Sequence, residues 1–247
     1  MTVERNTGEP SSTLPAVYLI PWDPNSQGHV DRMKLQRIAC GWKVEQVDGW
    51  RDPQRQGHIG LHWVVLQPDH PETPSRLKRH LAAHPDEAEP LLDTCATILG
   101  RPHQPDPLIP PSFSPVGHIA LDSVTSEPEL RTSLSDGILS LMNFYISTAL
   151  QNLGLGGAAL NSCEEMAKDE FGAKAITLTT IANEYCQADS PRRIAMKRPT
   201  PTVTNQDWYL RRGYVVCGRK EAAWFEVDDT GKRWDVGCVF LRKDLLV

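Results

Sequence analysis

Residues 150–160 read LQNLGLGGAAL. Gly154, Gly156 and Gly157 fall within four positions, and apart from Gln151 and Asn152 the remaining residues are small or apolar. The apolar run GILSLMNFYIS (137–147) precedes the stretch, and GGAALNSCEEMAKDEFG (156–172) continues from it with Ala159, Cys163, Met166, Ala167 and Phe171 at helical spacing. Strand, glycine turn, helix is a general device for holding an anion. The first amides of a helix lack intrahelical acceptors, the helix dipole makes that end partly positive, and glycine removes the Cβ atoms that would keep a phosphate away. The bland reading is that small residues let the helix pack closely on a sheet.

Composition bounds the rest. The 247 residues, 40% apolar and 23% charged, suit one large globular domain. A net charge of −5 argues against a general nucleic-acid binder, which needs a basic face, and suits a cationic substrate better. The six cysteines form no CxxC pair, so free thiols in a reducing compartment are expected. No signal-peptide pattern opens the chain and no apolar run spans a bilayer, so the expectation is a cytoplasmic or nuclear protein with no membrane partner.

Along the chain, residues 1–14 read as a disordered tail and residues 15–247 as a single domain. AVYLIPW (16–22) and HIGLHWVVLQ (58–67) predict strands, with a helix at HVDRMKLQRIACGWKV (29–44) between them. Ten of the twenty prolines fall within 68–113. Regular sheet cannot persist there, so the segment reads as an insertion carrying short helices at SRLKRHLAAH and EAEPLLDTCATIL. Further strands are expected at 114–124, 137–147 and 173–182, a short helix at 204–214 with Thr204 as N-cap, and a closing hairpin around DDTGK. The order is β-α-β, insertion, β-β-α-β-α-β-β, a mixed α/β fold.

Three phosphate ligands compete for the glycine stretch. A P-loop fails because no Lys follows the glycines. A dinucleotide fingerprint fits formally over Gly154–Ala159, but few βα units follow it. The third reading covers more residues. Gln151-Asn-Leu-Gly154-Leu-Gly156 resembles the Gln/Arg-x-x-Gly-x-Gly/Ala motif of the GNAT superfamily of N-acetyltransferases, and NQDWYLRRGY (205–214) is similar to the segment near that family's C-terminus. The resemblance extends over about residues 114–242, with a weaker first strand and helix at 16–44.

The resemblance implies a central, mostly antiparallel twisted sheet with splayed central strands and flanking helices. It implies acetyl-CoA as cosubstrate and no metal. Gln151, Asn152, Leu153, Gly154, Leu155, Gly156 and Gly157 would bind the pyrophosphate, and the main chain of Phe144, Tyr145 and Ile146 would hold the pantetheine arm and the acetyl carbonyl. Tyr209 would protonate the departing thiolate. Glu184 and Asn183, just past the strand at 173–182, and Asp122 are candidates for the group that receives the amine proton. Arg211 and Arg212 read as solvated helix charges, with approach to a CoA phosphate as the alternative. The expected partner is a small-molecule amine, with a protein or peptide amine second and a homodimer as an oligomeric option. A non-catalytic CoA-binding module and, more distantly, a nucleotide-dependent oxidoreductase are the competing classes. Two departures from the family stand out: Thr202 occupies a position usually held by Asn, and the 68–113 insertion is atypical. His58/His62 and His80/His84 have i, i+4 spacing, but no carboxylate or Cys completes a zinc set at ligand spacing unless Asp86 or Glu87 does, and solvated histidines are the expectation.

Overall fold

The computed structural model describes residues 16–107, 109–125 and 127–245; the tail expected at 1–14 lies outside them. Seven strands make one sheet: β1 (Val17–Pro21), β2 (Ile59–Leu66), β3 (Pro115–Asp122), β4 (Ile138–Ile146), β5 (Ala175–Ile181), β6 (Val215–Val227) and β7 (Arg233–Asp244). Their spatial order is β1-β2-β3-β4-β5-β7-β6. Every neighbouring pair is antiparallel except β4 and β5, which run parallel. Four helices matter for the site: α1 (Gln27–Cys40), α2 (Thr73–Ala83), α3 (Leu155–Asp169) and α4 (Asn205–Leu210). This is the mixed α/β fold that the element order predicts and the mostly antiparallel sheet that the family resemblance implies.

Each sheet face has its own core. Leu155, Ala159, Cys163 and Ala167 of α3 pack on Ile119, Leu121, Leu139, Leu141, Ile176 and Leu241. Val30 and Met33 of α1 cover the opposite face with Trp22, Leu61, Trp63 and Ala120. In the paired half of β4, Leu139 and Leu141 enter the α3-side core, while Ser140 between them is buried on the other face. Each fully buried Leu or Ile adds about 1.5–3 kcal/mol over leaving it in water. Gly41 ends α1 with φ 72°, a left-handed conformation that glycine adopts without cost. The six cysteines are free thiols.

The insertion corrects one expectation. SRLKRHLAAH lies within α2, but EAEPLLDTCATIL is not helical beyond a single turn at its start. Leu91–Leu92 pairs with Ser112–Phe113, and Thr97–Ile98 pairs with Arg101–Pro102. Pro90 removes a helical donor, and Thr94, Thr97 and Ile98 favour extended backbone. The insertion has no core of its own: Leu91 and Phe113 join the α1 side, and Ile98 and Leu99 the α3 side.

The feature that makes a site is a divergence. β4 and β5 pair only over Ile138–Leu141 and Ala175–Leu178. Beyond that, β4 stays with β3 up to Ile146, and β5 stays with β7 up to Ile181. A bulge drives them apart. Tyr145 opposes His118 and Met142 opposes Ala120, so Asn143 and Phe144 together face Ile119 alone. Asn143 sits at φ 50°, in the left-handed region that Asn tolerates better than most residues.

Candidate active site

The gap between β4 and β5 opens towards the N-terminus of α3. From Ile146 the chain makes one 3₁₀ turn, Thr148–Leu150, and crosses Gln151–Gly154 into the helix. Asn152 (φ 65°) and Gly154 (φ 81°) are both left-handed, which folds the loop back sharply. The Gln151 side chain donates to the Ile146 carbonyl at 3.2 Å and pins the loop to the strand end. Gly154 caps the helix without a side-chain acceptor, and no acidic residue lies in the first turn. The opening amides of α3 are therefore left for an outside acceptor.

A cation stands beside them. Arg212 stacks on the Trp208 ring, with its guanidinium carbon 3.5 Å from the ring centroid, and donates to the Trp208 carbonyl at 3.1 Å. Its Nη2 lies 3.0 Å from where a Cβ on Gly157 would be. A Cβ there would make the guanidinium give way by a few tenths of an ångström. A positive group at the positive end of a helix is unfavourable until an anion joins them. Of the two readings open for the pair, the solvated one fits Arg211, which is exposed, while Arg212 is half-buried against Trp208 and Gly157. The signal was its i, i+4 spacing from Trp208, which holds the guanidinium over the ring.

Phe144, Gly156 and Trp208 converge. The Phe144 and Trp208 rings lie 6.1 Å apart, and a Cβ on Gly156 would reach both rings within 4.0 Å. The end of β4, the glycine loop and α4 therefore form one wall. Tyr209 follows Trp208 into the core and packs edge-on against Trp208 and Tyr214. Burial, with the nearby Cys163 thiol, raises its phenol well above the ordinary value, so it holds its proton at neutral pH.

The candidate proton acceptors are differently placed. Asn183 accepts from the Thr204 hydroxyl and donates to Asp207 at 2.7 Å, while Thr204 caps α4 by accepting from the Asp207 amide. Asn183 thus ties the end of β5 to the helix that carries Tyr209. Glu184 is exposed and ion-paired with Arg219. Asp122 pairs with Ser140, at the end of β4 away from the gap; burial raises its carboxyl, and it accepts from the Val124 amide.

Behind the gap lies a buried polar network with no motif in the sequence. His118 on β3 stacks on Tyr145, with ring centroids 5.3 Å apart. Its Nδ1 is 2.9 Å from Gln36 Oε1, and its Nε2 is 3.2 Å from Arg37 Nη1. Burial, reinforced by Arg37, keeps the His118 ring neutral. Gln36 also donates to Glu87 of the insertion at 2.9 Å, and His80 Nδ1 lies 2.9 Å from Ser147 Oγ at the start of the glycine loop. Among the described residues, Asn143 Nδ2 is buried without a hydrogen-bond partner. The rings of Trp42, just past α1, and Trp224 on β6 meet at 5.8 Å on this side. Among the described residues, no group of three or more His, Cys, Asp or Glu is placed to hold a metal, and no helix is long and apolar enough to cross a membrane.

Comparison with solved structures shows the same fold. An aminoglycoside 6'-N-acetyltransferase complexed with coenzyme A superposes with a TM-score of 0.50 at 12% identity, covering 93% of this chain and 98% of that one. A chimera of spermidine N-acetyltransferase SpeG from Vibrio cholerae and hSSAT superposes at 0.50 with 7% identity, covering 93% and 95%. No protein-family model matches the sequence, and no curated protein matches it.

Proposed function

The chain has the GNAT acetyltransferase fold, and from that premise we propose that it transfers an acetyl group from acetyl-CoA to an amine, the acceptor being a small molecule. The observation that carries this reading is the uncapped start of α3 with Arg212 against Gly157, at the open end of the β4–β5 gap. Loop amides from Gln151 to Gly157 and the Arg212 guanidinium suit a pyrophosphate, the anion of CoA. The unpaired edge of β4 at Phe144, Tyr145 and Ile146 leaves main-chain groups for the pantetheine amides and the thioester carbonyl.

The chemistry follows. A neutral amine attacks the thioester carbon, and oxygen takes up negative charge that main-chain N–H groups stabilise. The carbon–sulfur bond then breaks, and Tyr209, protonated at neutral pH, gives its proton to the thiolate. Asn183 holds α4, and so Tyr209, against the end of β5. Glu184 accepts the amine proton through water once its pairing with Arg219 loosens. The net charge of −5 favours a cationic acceptor, and the two superposed enzymes are an aminoglycoside and a spermidine acetyltransferase.

Two measurements test this. Calorimetric titration with CoA and acetyl-CoA is expected to show one saturable site, and release of free thiol in the presence of a panel of small amines is expected to show turnover. Absence of CoA binding overturns the reading. Binding without turnover on any amine leaves the fold as a CoA-binding module.

A further inference from the structure

A second concave site lies three strands from β4, at the outer edge of the sheet. It has a volume of about 650 Å³ and sits between β1, α3 and the part of the insertion from Asp93 to Asp106. That size falls in the range of small-molecule pockets, roughly 300–1,000 Å³. Ser162, Glu165, Met166 and Asp169 of α3 share the face that borders it, at i, i+3, i+4 and i+7. Opposite them, Asp93 holds His103 at 2.9 Å. Five carboxylates line the cavity against one guanidinium, that of Arg101, which is committed to the Glu170 carbonyl and the Phe171 ring. Between the acidic groups, Leu19 and Ile98 supply apolar wall.

One ring nitrogen of a buried side chain has no protein hydrogen-bond partner there among the described residues. His62 is only 2% exposed yet borders the cavity. Its Nδ1 lies 3.0 Å from the Gly60 carbonyl and must carry the proton to bond it. Nε2 is then a lone-pair acceptor, and among the described residues no hydrogen bond reaches it. Burial holds the ring's pKa down to about 3, so this nitrogen stays an acceptor at any physiological pH.

We infer that this cavity binds a small organic polyamine, with an N–H group on His62 Nε2 and its other ammonium groups on the carboxylates of α3 and the insertion. The lining offers acceptors and negative charge, so the ligand must bring donors and positive charge. The apolar stretches between them fit methylene spacers. A bare metal ion does not fit, because among the described residues no three ligating groups converge. The site is separate from the gap and does not depend on the activity proposed for it.

The test uses the full chain saturated with CoA and spermine as probe, titrated calorimetrically in low and physiological salt. Hexamethonium, cationic but without N–H donors, is the control. One spermine site per chain is expected to disappear, or to weaken more than tenfold, in the Glu165→Lys/Asp169→Lys variant. Both residues are exposed, so this variant folds, and its CoA affinity is expected to stay within twofold of the parent. Hexamethonium is expected to bind at least tenfold more weakly than spermine. A site count and affinity unchanged by the charge reversal overturn the proposal. So does equal binding of hexamethonium, which would reduce the effect to nonspecific attraction.

Discussion

Replacing Arg212 with Ala isolates the contact on which the CoA reading rests. The guanidinium stacks on the Trp208 ring, donates to the Trp208 carbonyl and lies against Gly157. Its loss removes a charge-assisted hydrogen bond to phosphate, a class of contact that contributes about 1.5–3 kcal/mol. At about 1.4 kcal/mol per factor of ten, the dissociation constant for CoA should rise about 10- to 150-fold. The fold should lose little, since a half-exposed cation–π contact contributes only about 0.5–1 kcal/mol. Arg212→Lys keeps the charge but not the flat fork that stacks on Trp208, and should recover part of the affinity. Gly157→Val attacks the same contact from the other side: its Cβ alone would sit 3.0 Å from Nη2, forcing the guanidinium off the helix end. Calorimetry with CoA at two salt concentrations reads all three variants. Both Arg212→Ala and Gly157→Val should also flatten the salt dependence, because a phosphate contact is removed. CoA affinity within twofold of the parent in both would refute the placement of the phosphates at this helix end.

Three other outcomes are expected. Tyr209→Phe should lower kcat by about 10²–10⁴ with little change in KM, the range for loss of a general acid, and unchanged turnover removes Tyr209 from that role. His62 and His118 are both held neutral by burial, their pKa values pushed below the ordinary 6.5. The unfolded chain therefore binds more protons as pH falls below 6.5, and stability should drop with acid by about 1.4 kcal/mol per pH unit for each histidine. Denaturant titrations from pH 7 to pH 5 read that slope, and a flat profile would contradict the burial. Asn143→Gly should be neutral within about 0.5 kcal/mol, whereas Asn143→Val, with a branched Cβ at φ 50°, should cost at least about 1–2 kcal/mol in thermal or chemical unfolding. Equal stability of the two variants would deny the bulge.

The glycine stretch was legible because its message is local. A turn that needs positive φ, a helix start without a cap, and a close approach each call for glycine at a defined place, and Gly154 and Gly157 stand at two of them. The element order was legible for the same reason, since periodicity reports the face each segment buries. The second half of EAEPLLDTCATIL misled because its apolar spacing is ambiguous over so short a run. Pro90 and the β-branched residues decide it, and their preference is realised only through pairing with Ser112–Phe113 and Arg101–Pro102.

What stayed hidden depends on contacts between distant parts of the chain. LMNFYI reads as an unbroken strand, and Asn143 was its only hint of a bulge. Yet the bulge parts β4 from β5, and without it a parallel pair would simply continue and leave no unpaired edge for a cosubstrate. Gly117 shows how firmly the neighbouring strand is matched to this shape: a Cβ there would lie 2.3 Å from the Tyr145 carbonyl oxygen. The insertion's part was hidden too. His80 and Glu87 look like solvated residues of a proline-rich loop, but they meet Ser147 and Gln36 across sequence separations of 67 and 51 residues. Through Gln36 and His118 that network reaches the back of Tyr145. A segment that reads as an appendage therefore buttresses both the start of the glycine loop and the strand edge beside the gap. Changes in the insertion should accordingly reach the glycine loop and the β4 edge through the His80–Ser147 and Gln36–His118 contacts.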